Sequence, residues 1–333
     1  MSSRQNHPIK LVNKTELKAF LFSKEFATQA ELAEGAHISV VTVNSLVKEL
    51  VAEGWFVSGN QLQKDIGRPS IRYFFNYNRY FFLLLSIQAF KKRLKVLAKV
   101  VNLKGLTIFE NEYDFSIVDL THLSIICSKL YQKYPKIHSI SIALPGRVHQ
   151  DTVTSSWYDQ MNGWNFKKEI NNYLSLPIFV QNDANLATIG FFIRKKIDRS
   201  NIIVGIYFPE GEVPGISIFY NNHLFLGNQG LAGEVKYLPA LIDESAALYW
   251  DKLIELVAVY NGIIAPHHIV VFNAESFVTE EEVLTALSKN SVILKQPNKP
   301  KIQLSNHLTE DIFSGLHWLS LQNSIYFSSL MKE

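Results

Sequence analysis

An α/β fold is predicted by three observations on this chain of 333 residues. From about residue 80 onward, strand-like and helix-like hydrophobic periods alternate, as in a layered α/β body. Before that body, three short helical patterns are followed by a hairpin pattern, with tight turns between them. Apolar residues make up 47 % of the chain and charged residues 19 %, which excludes long disordered or fibrous stretches. At roughly 150 residues per domain, the length allows two domains or three small ones, with a core that needs no staples.

The first helix is expected over Lys14–Phe22, capped by Asn13, with Leu17, Phe20 and Leu21 on one face. Thr28-Gln-Ala-Glu31 has the capping-box spacing and opens a second, short helix that ends near Gly35. Ser39 then caps a longer helix running from Val40 to about Glu53. There Val43, Leu46, Val47 and Leu50 recur at steps of three and four, so one face is buried, and Gly54 stops it. Trp55–Ser58, a Gly59-Asn60 turn and Ile71–Phe75 read as a two-stranded wing. Two helices joined by a tight turn and followed by a hairpin make a winged helix-turn-helix.

In the body, strands are expected at Phe81–Ile87, Leu94–Asn102, Ile137–Ala143, Ile178–Gln181, Ile202–Phe208, Gly215–Tyr220 and His268–Phe272. Helices are expected at Asp119–Tyr134, Phe166–Tyr173, Asn185–Lys195, Ser245–Tyr260, Thr279–Lys289 and Asp311–Phe327. Gln296–Pro300 reads as a loose loop, and the body as two lobes.

Charge and cysteine content narrow the function classes. Residues 1–79 hold ten Lys or Arg against seven Asp or Glu, whereas residues 80–333 hold 23 of each. The whole excess of +3 lies in the first quarter, which suits an anionic partner there. The single cysteine, Cys127, excludes an intrachain disulfide and a thiolate-rich zinc site, and reads as inert packing. The start lacks an apolar signal region, and the longest apolar run, Tyr80–Leu85, is too short to span a bilayer. A cytoplasmic location without membrane contact is expected.

The outer face of the third helix offers Val40, Val41, Thr42, Asn44, Ser45 and Lys48. Hydroxyl, amide and apolar side chains there can meet base edges and thymine methyls, and Lys48 can meet a phosphate. With Thr28, Gln29 and Ser39 at the neighbouring helix ends, and Arg68 beyond the wing, they form the expected DNA-binding set. A solvated face of a protein-binding module is the other reading, and Arg68 alone reads equally well as an exposed turn residue.

Asn182-Asp183-Ala184-Asn185 follows a strand and precedes a helix, where polar residues line the ligand crevice of an open α/β sheet. Asp183 there can orient or deprotonate a sugar hydroxyl, although Asp183 or Asn185 can equally be a helix cap. Gly227–Tyr237 is a Gly-rich loop with one carboxylate, Glu234, and fits no phosphate-loop pattern. Taken alone, such glycines serve backbone geometry.

In this order the pieces resemble the ROK family (repressors, open reading frames and sugar kinases), in its winged-helix repressor branch. The matching parts are the helix-turn-helix, Gly67-Arg-Pro69, Ala143-Leu-Pro-Gly146 with Val148, Asn182-Asp-Ala-Asn185 and Gly233-Glu234. The resemblance implies an actin-like, sugar-kinase-like (ribonuclease H-like) body, with residues 1–79 as the DNA-binding domain and lobes at 80–199 and 200–333. In family kinases the Asp matching Asp183 is the catalytic base, and the residues matching Asn182 and Glu234 hold sugar hydroxyls. Gln160 falls where an Asn holds sugar, and Tyr237 stands in place of the family's zinc-site His. Gln160, Asn182, Asp183, Glu234 and Tyr237 are thus the expected ligand-binding set.

The departures concern catalysis. The family's first phosphate loop should fall near Ser86–Lys92, yet no Asp lies between Asp65 and Asp114 and no Gly between Gly67 and Gly105. The second loop is here Phe208-Pro-Glu-Gly-Glu-Val-Pro-Gly215, whose two carboxylates repel ATP, and the late Gly-Gly is Asn273-Ala274. The zinc-binding Cys run is absent from a chain with one cysteine, and Ser45 lies where relatives often carry Arg. No catalytic residue, metal or cofactor is therefore expected.

The leading expectation is a transcriptional regulator, acting as a repressor on a double-stranded DNA operator. Its kinase-like body is inactive, senses a carbohydrate or sugar phosphate, and mediates assembly into a homodimer or dimer of dimers. A working sugar kinase, or a regulator whose body is only a dimerisation or protein-binding scaffold, are the alternatives. ATP turnover separates the kinase from the other two, and ligand-induced change in DNA affinity separates those.

Overall fold

The computed structural model describes residues 6–62, 70–90, 93–156, 158–208, 213–238, 249–272, 279–322 and 324. Helix α1 runs over Asn6–Lys24, well upstream of the expected start. Asn13 is therefore interior and caps nothing. Pro8 sits in the first turn, where a missing N–H breaks no helical bond, so nothing stops the helix from extending.

Strand β1 (Phe26–Thr28) leads into α2 (Gln29–Gly35), where Thr28 and Glu31 form the expected reciprocal cap. Helix α3 (Val40–Ala52) is capped by the Ser39 hydroxyl and buries Val43, Leu46, Val47 and Leu50. At its end Gly54 has φ +75°, its N–H bonds to Val51, and that of Trp55 bonds to Leu50. This is a Schellman stop, which a side chain at residue 54 would strain. Strands β2 (Phe56–Leu62) and β3 (Ser70–Phe75) form the wing, and β1 adds to it in the order β1-β3-β2. Three residues are too few for an alternation to announce β1.

The winged helix sits firmly on the body. The Tyr77 hydroxyl donates 2.5 Å to the Phe22 carbonyl, and Lys104 pairs with Glu25. The Asn102 amide donates 2.8 Å to Asn78, and Trp55 meets Tyr80 edge-on. One apolar cluster runs without a break from Leu17 and Leu46 through Phe82 and Leu103 to the helices of the body.

The first body sheet contains β4 (Phe81–Phe90), β5 (Arg93–Asn102), β6 (Thr107–Asp114), β7 (Ile137–Leu144) and β10 (Ile178–Asn182), in the order β10-β7-β4-β5-β6. Strands β8 (Gly146–His149) and β9 (Thr152–Ser156) form a separate hairpin. Helices α4 (Leu120–Lys133) and α5 (Phe166–Ile170) join this half, where Cys127 is fully buried. Burial pushes its thiol up to about 12, which keeps it unreactive. The unexpected β6 is an exposed edge strand whose Glu110 and Glu112 pair with Lys99 and Lys95. Charge on an edge guards it and erases the apolar signal.

Helix α6 (Asp183–Arg194) leads to the second sheet: β11 (Ile203–Tyr207), β12 (Gly215–Tyr220), β13 (His223–Leu224), β14 (His268–Phe272) and β15 (Lys301–Ser305). Its order is β13-β12-β11-β14-β15. Helices α7 (Tyr249–Ile264), α8 (Glu280–Ser288) and α9 (Ser291–Lys295) accompany it. The segment expected to be loose at Gln296–Pro300 is tied down: Asn261 donates to Gln296 and to the Asn298 carbonyl. Helix α10 (Leu308–Leu321) returns to pack on α6, β4 and β7, so the last described helix belongs to the first sheet by packing.

Candidate functional site

A cleft of about 160 Å³ opens where β10 ends and α6 begins, between the β8–β9 hairpin and the turn before residue 235. Polar groups at the carboxyl edge of a parallel strand are well placed to meet a ligand. Asn182 is the cap of α6: its Oδ1 accepts the Asn185 N–H at 3.1 Å, and its Nδ2 donates 3.1 Å to the Gly146 carbonyl. The cap is thus Asn182 rather than Asp183 or Asn185.

Asp183 is only 7 % exposed, and its Oδ1 accepts the Ala184 N–H at 2.9 Å. Burial raises its carboxyl to about 7, so near neutrality it can donate as well as accept a hydrogen bond. Across the cleft lies Tyr207, whose hydroxyl is pushed upward by its own burial and by the charge of Asp183. A neutral phenol and a half-ionised carboxyl suit the hydroxyls of a polyol.

Glu234 reaches the cleft because the preceding loop is built on glycines with positive φ, at Gly227, Gly230 and Gly233. At Gly233 an added Cβ would lie 2.1 Å from the Ile216 carbonyl oxygen, so only glycine fits. The Glu234 carboxylate lies 3.3 Å from the Lys236 ammonium, which also donates 3.3 Å to the Ser155 hydroxyl. From the other wall, Arg147 Nη1 donates 3.0 Å to the Gln229 carbonyl.

The structure therefore brings Asn182, Asp183 and Glu234 together. Gln160 is exposed and outside the cleft lining, and Tyr237 is 66 % exposed and also outside it. Sequence reasoning passed over Arg147, Ser155, Tyr207 and Lys236, which line the same cleft. Arg147 follows a motif glycine and Lys236 lies two residues after a motif carboxylate, and two cations so close to such motifs are the available signal.

Ser86–Phe90, where a phosphate loop was expected to be degenerate, continues β4 and pairs with β5. Residues 209–212 of the second loop and Asn273-Ala274 lie outside the described residues. The zinc implied by the family resemblance does not fit this chain: its one cysteine is buried on α4, and Tyr237 replaces the histidine. Among the described residues no cluster of three His, Cys, Asp or Glu could hold a metal.

On the winged helix, Val40, Val41, Asn44, Ser45 and Lys48 are exposed on one face of α3, Val41 at 84 %. The Ser39 hydroxyl accepts the Thr42 N–H at 3.2 Å and lies 2.8 Å from the Thr42 hydroxyl. Thr28 is committed to the α2 cap, while Gln29 donates 3.2 Å to Asn44 Oδ1 and 3.1 Å to the Tyr73 hydroxyl. Gln29 thus joins the two helices through the amide oxygen of the exposed Asn44. Arg68 lies outside the described residues. No described helix is long and apolar enough to cross a membrane.

Residues 120–244 match the ROK family, and the other comparisons agree with that match. The chain carries a ROK family domain over residues 120–244. A xylose repressor of Bacillus spizizenii (strain ATCC 23059 / NRRL B-14472 / W23) is 22 % identical over 245 residues, 69 % of this chain. The alignment spans 61 % of that repressor, so less than two thirds of the relative is matched. A solved ROK family transcriptional regulator, a homolog of the E. coli MLC protein, superposes with a TM-score of 0.66 at 15 % identity. It covers 98 % of this chain and 100 % of its own. A ROK family glucokinase from Streptomyces griseus, solved with glucose and AMPPNP, gives 0.52 at 15 % identity, covering 72 % of this chain and 99 % of its own. The two body sheets therefore have the actin-like ROK architecture, with a winged helix ahead of it.

Proposed function

We propose that this ROK protein is a DNA-binding transcriptional repressor whose body binds a carbohydrate effector and holds two copies together. The reading rests on α3, which buries one face completely and turns a capped N-terminal face of mixed apolar, amide and hydroxyl side chains outward beside a wing. Support also comes from coverage: the regulator structure matches nearly the whole chain, the glucokinase only 72 %. Lysine and arginine contacts to phosphates supply most of the affinity, and base-edge contacts by Asn44, Ser45 and Thr42 supply the preference. Dimerisation through the body sets two α3 helices a helical turn or more apart on a palindrome-like site. The effector acts only as far as it binds the DNA-competent and incompetent arrangements unequally.

In this reading the cleft binds rather than phosphorylates, because β4 runs as strand through the place of the first phosphate loop. One observation favours a kinase instead: Asp183, raised to about 7, is a competent general base. Two assays decide between the readings. Fluorescence anisotropy with genomic fragments should show saturable binding that is lost when residues 1–79 are removed. Incubation with ATP and a panel of hexoses and N-acetylated hexosamines should give no turnover; turnover abolished by Asp183→Asn would establish the kinase.

A further inference from the structure

The cleft carries two cations that sugar hydroxyls do not require. Among the described lining residues the charged groups are Arg147, Asp183, Glu234 and Lys236. Lys236 and Glu234 offset each other at 3.3 Å, and Asp183 is a half-neutral carboxyl near pH 7. Arg147 has no carboxylate partner among the described residues: Nη1 meets a neutral carbonyl, and the buried Nε has no acceptor. A guanidinium donor buried without a partner is costly, and its planar fork suits a phosphate or carboxylate.

The two cations converge on one residue. Arg147 and Ser155 stand directly opposite in the β8–β9 hairpin, so their side chains share a face. From the other wall the Lys236 ammonium reaches the same Ser155 hydroxyl at 3.3 Å. A guanidinium, a hydroxyl and an ammonium on adjoining positions are the donors that an anion takes. We propose that Arg147, Ser155 and Lys236 form an anion subsite at the edge of the cleft, and that the effector is a carbohydrate bearing an acidic group. This rests on reading the cleft as the carbohydrate site.

The acidic group is a phosphate ester or a carboxylate, and the subsite bridges the two walls. Arg147 already spans the cleft to Gln229, and Lys236 spans it in the opposite sense to Ser155. An anion that recruits both cations therefore changes how the walls are held, which is the route by which the ligand binds the DNA-competent and incompetent arrangements unequally.

The test is calorimetry on the full chain with pyranoses supplied as the neutral sugar, the 6-phosphate and the 6-uronic acid. One acidic form should bind at least tenfold tighter than its neutral parent, and the better of the two identifies the group. Arg147→Gln and Lys236→Gln should each erase most of that preference, read as the ratio of affinity for the acidic form to affinity for its neutral parent. Ser155→Ala should reduce it less. Equal affinity for neutral and acidic forms, or a preference that survives the Arg147→Gln/Lys236→Gln double variant, overturns the subsite. If the neutral sugars bind equally well and Asp183→Asn abolishes that binding, the subsite falls while the carbohydrate cleft stands. If no sugar in any form binds, both fall together.

Discussion

Gly190 of α6 lies so close to Asp311 of α10 that a Cβ on the glycine would come 1.8 Å from the Asp311 carbonyl oxygen. The approach is mutual, since a Cβ on Gly315 of α10 would lie 2.2 Å from the Leu186 carbonyl of α6. Beside this crossing, Arg194 Nε donates 2.8 Å to Asp311 Oδ1, and the Ser305 hydroxyl donates 2.5 Å to Oδ2. Two glycines, one in each helix, set the depth of the contact, and a fully buried carboxylate pins its far end. Because α6 begins with Asn182 and Asp183, this crossing also fixes the floor of the cleft.

Gly190→Ala should therefore destabilise the protein by about 3 kcal/mol or more, because the obstruction is backbone rather than a flexible side-chain tip. Urea unfolding is the measurement, and a midpoint within error of the parent would show that the helices can separate cheaply. Gly315→Ala should cost a similar amount. The pair should fall short of additive, because both substitutions push apart the same two helices.

The pH dependence of stability carries a contribution from Asp183. Its carboxyl rises from 3.8 to about 7 on folding because burial disfavours the charge. Between these values the folded state holds a proton that the unfolded state has released, so stability falls as pH rises from about 4 to about 7. The full penalty, up to ~4 kcal/mol for a shift of this size, is present above pH 7. Asp183→Asn should remove it and stabilise the protein at pH 8 relative to pH 5. Parallel urea midpoints for parent and variant across that range would contradict the assignment.

His317 works in the opposite sense. It is buried on α10, its Nε2 meets the Leu103 carbonyl at 3.2 Å, and burial lowers it from 6.5 to about 4. Here the unfolded state binds the extra proton, so stability is lost as pH falls from about 6.5 to about 4. Over that window the two groups oppose each other, and the parent protein should show a flatter profile than either group alone would give. His317→Gln should expose the Asp183 slope, and Asp183→Asn the His317 slope. Failure of the two single variants to diverge between about pH 4.5 and about pH 6.5 would remove this cancellation.

Much of the architecture was legible because its determinants are local. The capping box at Thr28, the steps from Val43 to Leu50, and the apolar strands β4, β7 and β11 announce themselves within a few residues. What stayed hidden depended on partners distant in sequence. Strand β1 exists because β3 lies beside it, β6 hides its edge under paired charges, and α10 belongs to a sheet far upstream. The site divides in the same way. Asn182, Asp183 and Glu234 sit in motifs and meet as their order implies, whereas Arg147 and Lys236 acquire meaning only when Ser155 lies between them. Gln160 and Tyr237 show the reverse, since a motif position did not carry either side chain into the cleft.

The last prediction concerns α3 and separates phosphate contact from base reading. Lys48 is exposed on the outer face of α3, and Asn44, also exposed there, has its amide oxygen held by Gln29. Lys48→Ala should weaken binding to every sequence and reduce the slope of log affinity against log salt by about 1, because a phosphate contact releases counterion regardless of base. Asn44→Ala should cost about 1–3 kcal/mol on the preferred site and little on random DNA, as expected of an amide that reads a base edge. Gln29→Ala frees the Asn44 amide to rotate, so it should cost part of the same specificity without touching the salt slope. Titrations of the three variants on specific and random duplexes at two salt concentrations measure all of this. Equal losses on both duplexes for Asn44→Ala would remove that residue from the reading set, and an unchanged salt slope for Lys48→Ala would move the phosphate contact elsewhere on the winged helix.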